Sequence, residues 1–154
     1  HKIRLEFWKQ LLEKVNQSET KLFQNINPSK DHWLSSGIGM SGLGLNFVVS
    51  KSYARTELMI ARSEKEENKF IFDQLYQKKE QIEQEFGDQL TWERLNTKKS
   101  CRVKYEMQEV SLYEKEDWAK MMEYLIENMI KMEKAILKPA KATFQKMKRN
   151  LKTE

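Results

Sequence analysis

The feature that most constrains this chain is the strict alternation over residues 101–108. Cys101, Val103, Tyr105 and Met107 interleave there with Arg102, Lys104, Glu106 and Gln108. Successive side chains of a β-strand point to opposite faces, so the stretch demands a strand with one apolar and one charged side. One strand cannot persist alone in water, and the chain supplies partners. In residues 53–62, Ala54, Thr56, Leu58 and Ile60 alternate with Arg55, Glu57 and Met59. Residues 45–51 and 90–96 add two more extended segments, and the short polar links Ser50-Lys51-Ser52 and Thr97-Lys98-Lys99-Ser100 join the four into two antiparallel pairs.

Around these pairs the apolar period changes to that of a helix. Leu5, Trp8, Leu12, Val15 and Leu22 predict a first helix over residues 3–23, interrupted at Glu19. Residues 25–36, punctuated by Asn27-Pro28-Ser29, read as a loop with at most one short turn near residues 31–34. Ser63 and Glu66 have capping-box spacing ahead of the stripe Ile71, Leu75, Ile82 and Phe86, which Gly87 should end. Ser111 and Glu114 repeat that spacing ahead of Trp118, Met122, Leu125, Met129, Met132 and Ile136, whose steps of 4, 3, 4, 3 and 4 make a heptad seam. Pro139 should kink or end this last helix, because it lacks an amide and clashes with the preceding turn. The order predicts an α+β fold: a four-stranded, mainly antiparallel sheet of two strand pairs, with three main helices packed on one face.

Composition narrows the class further. A chain of 154 residues with 39% hydrophobic and 33% charged residues and two prolines fits a single folded domain, residues 1–154. The one cysteine, Cys101, excludes an internal disulfide, and His1 and His32 form no zinc-spaced cluster, so no metal or cofactor is expected. No apolar run reaches the roughly 18 residues of a membrane helix, so the expectation is a cytoplasmic protein with no membrane partner. A start at His1 rather than methionine, directly ahead of an amphipathic segment, reads as a tag remnant or an excised domain. The net charge of +5 resides in residues 138–154, a basic C-terminal helix or tail; the first 137 residues balance 22 basic against 22 acidic groups. Attraction to phosphate should therefore centre on Lys146, Lys148, Arg149 and their neighbours.

Several constellations bear on chemistry. Gly37, Gly39 and Gly42 spell GxGxxG, but a polar loop precedes them and a strand follows, so they read as a turn that needs glycine rather than a dinucleotide site. His32-Trp33 pairs a titratable ring with a large aromatic, and no activated nucleophile stands beside it. Trp33 is expected to pack its loop onto the core. The charged sheet side should gather Asn46, Ser50, Arg55, Glu57, Arg102, Lys104 and Glu106, with Glu93 or Arg94 joining according to register. Such a face is either solvated or a groove in which arginines meet phosphate and Trp92 or Tyr53 stacks on bases. The acid and Glu-x-Lys pattern of a magnesium-dependent nuclease appears on no strand. The heptad seam serves as internal core or as a partner surface, and its methionines suit either.

Five blocks, EFWKQLLEK (residues 6–14), HWLSSGIGMSGLGLNFVVSK (32–51), ARTELMIAR (54–62), FGDQLTWERL (86–95) and CRVKYE (101–106), resemble the prokaryotic family known as domain of unknown function 4268. That resemblance covers almost the whole chain. It implies the C-terminal part of a longer bacterial or archaeal protein, in some cases behind a segment similar to restriction-type nucleases. It implies no catalytic residue. The resulting expectation is a non-catalytic accessory domain that helps a linked nuclease-like effector recognise DNA or RNA. Candidate contacts are His32, Trp33, Arg55, Glu57, Arg94, Arg102, Lys104, Lys146, Lys148 and Arg149. The alternative is a protein-interaction or homodimerisation module using the Met-rich last helix.

Overall fold

The computed structural model describes residues 1–151. Five strands form one antiparallel sheet: β1 Trp33–Gly37, β2 Leu43–Val49, β3 Tyr53–Ile60, β4 Thr91–Glu93 and β5 Cys101–Gln108. Their spatial order is β1-β2-β3-β5-β4, so β5 inserts between β3 and the edge strand β4. The helices are α1 Lys2–Val15, α2 Lys65–Tyr76, α3 Lys79–Phe86 and α4 Trp118–Leu151, the last entered through a single 3-10 turn at Lys115–Asp117. The α+β class and antiparallel sheet are as expected, but among the described residues the sheet has five strands rather than four and the helices number four rather than three. The extra strand is β1, hidden in a Ser/Gly-rich stretch that carries turn-forming composition. The extra helix arises because the stripe from Ile71 to Phe86 is broken at Gln77 and Lys78, whose amides bond back to Asp73 and Leu75.

Register places Leu45, Leu58, Val103 and Trp92 in one row across the sheet, with Phe47, Thr56 and Tyr105 in the next row on the same side. Leu45, Phe47, Leu58 and Val103 share one hydrophobic cluster with Phe7 and Trp8 of α1, Ile71 and Leu75 of α2, and Met122, Leu125, Met129 and Met132 of α4, and Trp92 and Tyr105 pack against it. The helices therefore cover one face. Val48 is the telling exception: it is 7% exposed yet lies outside that cluster, because it points to the other side. Each fully buried large apolar side chain contributes about 1.5–3 kcal/mol, and the heptad methionines spend their apolar surface here, inside the chain's own core.

Three local predictions are corrected by specific contacts. The first helix stops at Val15, where Ser18 Oγ donates to the Val15 carbonyl at 2.6 Å; Phe23 then packs on Phe47 from an irregular turn, with ring centroids 4.6 Å apart. Neither capping box forms. Asn68 accepts from the Arg62 amide at 2.8 Å, and Asp117 accepts from the Ser111 amide at 2.9 Å, so a carboxamide and a carboxylate make the backward reach to a preceding amide that the spacing assigned to Glu66 and Glu114. The last helix does not end at Pro139. An interior proline costs about 3 kcal/mol, but Ala140, Phe144 and Met147 beyond it are all buried, and their burial outweighs that cost.

One further contact fixes the β4–β5 corner. Lys69 on α2, 7% exposed, donates to the carbonyls of Arg94 at 2.5 Å, Leu95 at 2.9 Å and Ser100 at 2.9 Å. Its amine also lies 3.4 Å from the Cys101 thiol, which burial pushes up in pKa against the pull of Lys69. Leu95 sits in the left-handed region at φ 53, a conformation that this cage of bonds holds in place.

Candidate functional site

Two surfaces carry the sequence-predicted residues. The first is the sheet face away from the helices. Antiparallel register brings Asn46, Glu57 and Lys104 into one row, Val48, Arg55 and Glu106 into the next, and Met59, Arg102 and Glu93 into a third. Arg55 donates from Nε to Glu57 at 2.8 Å and from Nη1 to Glu106 at 3.2 Å, while Asn46 donates to the other Glu57 oxygen at 3.0 Å. Lys104 reaches Glu106 at 3.2 Å and Glu93 at 3.4 Å, and Arg102 spans Glu93 at 3.4 Å and Glu57 at 4.0 Å.

The consequence is a closed lattice of three cations and three carboxylates. Its members shield one another so completely that Glu57 is 1% and Arg55 8% exposed with no helix above them. Burial alone would lower the Arg55 pKa, but Glu57, Tyr53 and Glu106 outweigh it and raise the guanidinium above its ordinary value. Burial also works to raise Glu106, and the bonds from Lys104 and Arg55 more than reverse it, holding that carboxyl below the usual range. Arg55 further lies 5.1 Å from the Tyr53 ring centroid. Each cation already has a carboxylate partner, so an incoming phosphate would compete with an internal anion.

Register also settles residues left open by the sequence. Glu93 joins the lattice; Arg94 does not, because it turns to α2 and grips Asp73 through Nε at 2.8 Å and Nη2 at 2.9 Å. Trp92 faces the helices, donating to Glu83 at 2.9 Å and packing on Phe72 and Tyr76, and so is no stacking platform for this face. Ser50 is consumed by its own turn, accepting from the amides of Ser52 and Tyr53. Trp33 does not pack its loop onto the core. It opens β1 on the charged side, opposite Val48, and is 48% exposed. His32 accepts at Nε2 from Arg4 Nη2 at 3.1 Å, and its carbonyl accepts from the Val49 amide. The three glycines lie at the β1–β2 turn. A Cβ at Gly42, φ +85, would stand 2.8 Å from the Arg62 Cα, which explains that glycine without a phosphate. Among the described residues no group of three or more His, Cys, Asp or Glu side chains is placed to hold a metal ion, and no helix is long and apolar enough to cross a membrane.

The second surface is the outer side of α4. Because the helix continues past Pro139, the basic segment is continuous with the core helix. Lys131, Lys134, Lys138, Lys141 and Lys148 recur at steps of three, four, three and seven, and all are exposed. Between residues 131 and 149 the only acid is Glu133, and it is turned aside to accept from Thr20 at 2.7 Å. Lys131 pairs with Glu127 at 3.5 Å, but among the described residues no carboxylate pairs with Lys134, Lys138, Lys141, Lys148 or Arg149. Lys146 bonds Gln74 of α2 at 2.8 Å, and Lys148 lies 5.5 Å from the Phe144 ring centroid. Lys152, counted with the same basic run, lies outside the described residues. A groove of about 470 Å³ between α3 and α4 extends this surface, lined by Lys78, Lys134 and Lys138 around Ile82 and Pro139, with Glu85 opposing. The sequence reading placed the charge in a tail and missed that Lys131 and Lys134 continue the same stripe; their three- and four-residue spacing was the available signal.

No curated protein and no solved structure matches the chain. Residues 3–140 match the family described as Domain of unknown function (DUF4268), in keeping with the five sequence blocks. On that match, which spans all five strands and most of α4, the chain belongs to the family of domain of unknown function 4268.

Proposed function

We propose that this domain is a non-catalytic accessory module that holds a nucleic-acid backbone along the outer side of α4 for a linked effector. The observation that carries the reading is the row of lysines on α4 without carboxylate partners, set against a sheet face whose cations are all neutralised internally. From Lys134 to Lys148 the row extends about 21 Å at about 1.5 Å per residue, long enough to follow several phosphates. Between residues 131 and 149 the one aromatic is Phe144, which is 8% exposed and turned inward, so this side offers charge and no base-stacking surface. That combination favours sequence-independent contact with a duplex backbone over reading of splayed bases. The linked nuclease-like effector rests on what membership of the family implies and not on any residue of this chain.

Fluorescence anisotropy with a short labelled duplex tests the reading. The chain should bind at about 50 mM salt and lose affinity steeply by about 200 mM. The triple variant Lys138→Ala, Lys141→Ala, Lys148→Ala should flatten the slope of log K against log salt by about 2.7, since each phosphate contact contributes about 0.9. Absence of binding at low salt, or an unchanged slope in a folded triple variant, refutes the proposal.

A further inference from the structure

We propose that a second copy of this chain pairs with the β1 edge, joining two sheets into one ten-stranded antiparallel sheet across a two-fold axis at Ser35. The two edges of the sheet differ. β4 is three residues long and ends in Glu93 followed by Arg94, the short and charged form that discourages strand addition. β1 reads Trp-Leu-Ser-Ser-Gly, with no charge and no proline.

Hydrogen-bond phase determines what that edge presents. The Val49 amide donates to the His32 carbonyl at 2.9 Å, so the pair 32 with 49 is a bonded pair. Antiparallel bonding alternates, which makes Leu34 with Phe47 and Ser36 with Leu45 the next bonded pairs. The amides and carbonyls of Trp33, Ser35 and Gly37 therefore point away from β2, and these are the exposed residues of the strand, while Leu34 and Ser36 are buried. An antiparallel copy centred on Ser35 matches Trp33 to Gly37, Ser35 to Ser35, and Gly37 to Trp33. Every outward group then meets an outward group, giving bonded pairs at all three positions.

Side chains agree with that register. Trp33 is 48% exposed on the charged side of the sheet. Its opposite number would be Gly37, where an added Cβ meets nothing within 4 Å, so there is open space for an indole ring to lie across the neighbouring strand. Large aromatics over cross-strand glycines are a recognised way to stabilise such pairs. The two-fold also sets Ser35 against Ser35, small and uncharged. This assembly is independent of the basic helix, which it leaves free.

Sedimentation equilibrium of the whole chain over a wide concentration range provides the test. The expected result is a reversible dimer. Ser35→Pro removes an amide that β2 does not use, and Ser35→Lys places two like charges opposite each other at the axis. Each should weaken dimerisation at least tenfold while leaving the circular dichroism spectrum unchanged. A monomer at the highest concentration, or a dimer equally tight in Ser35→Lys, overturns the proposal; Ser35→Lys keeps the test decisive if the proline variant does not fold, because the side chain is exposed.

Discussion

Replacing Glu57 by leucine tests whether the charged sheet face is held by its internal pairing. Glu57 accepts from Arg55 at 2.8 Å and from Asn46 at 3.0 Å, with Arg102 at 4.0 Å, and its side chain is 2% exposed. Removing one partner of a buried pair costs about 3–5 kcal/mol, because the other charge is left desolvated. Arg55 retains Glu106 at 3.2 Å, which places the expected loss near the lower limit, about 3 kcal/mol. For a chain of this length that is a fall in midpoint temperature of about 6–12 °C. The double variant Arg55→Met, Glu57→Leu removes both charges together and should cost less than the single, since apolar replacement of a whole buried pair is often neutral. Urea unfolding followed by far-ultraviolet circular dichroism gives both numbers. A single variant within 1 kcal/mol of the parent, or a double variant less stable than the single, would refute the assignment of Glu57 as the buried hub of the lattice.

Two further outcomes follow from local geometry. The Tyr105 hydroxyl donates to Asp88 at 2.5 Å, and that bond, followed by burial, pushes its pKa from 10.0 up to about 12. The protonated phenol is the form favoured by folding, so its contribution is complete below about pH 10 and is lost as pH rises through about 12. Tyrosinate absorbance should show this late titration, and Asp88→Ala should bring it back toward the ordinary value. In the β1–β2 turn, Gly42→Ala should destabilise more than Gly39→Ala. Both residues have positive φ, worth roughly 1–2 kcal/mol against alanine, but only Gly42 also drives a Cβ to 2.8 Å from the Arg62 backbone. Equal melting temperatures for the two variants would count against that close approach.

The parts of this fold legible in the sequence were those where one strand face is wet and the other dry. β3 and β5 alternate in chemistry, and Phe47, Leu58 and Val103 turn inward while Arg55, Glu57 and Arg102 turn outward, as the alternation required. What alternation could not show was depth. Glu57 and Arg55 read as part of a face either solvated or open to a ligand, yet mutual shielding buries them, because long side chains in adjacent rows cover each other's charged ends. β1 was not legible because Ser35, Ser36 and Gly37 carry turn composition, and pairing to β2 overrides that preference. The break between α2 and α3 was hidden because Leu75 and Ile82 keep a helical interval across it. The Trp92 face depended on strand register, which no local pattern fixes.

Lys69 gives the corner between β4 and β5 an unusual dependence. Three main-chain oxygens there surround an ammonium much as water oxygens surround a dissolved cation, and the cation belongs to a different element of the chain. The loop thus has its solvent supplied by α2. Without that ammonium the three oxygens would face one another with no cation between them, so the position of the short outer strand is tied to the seating of α2.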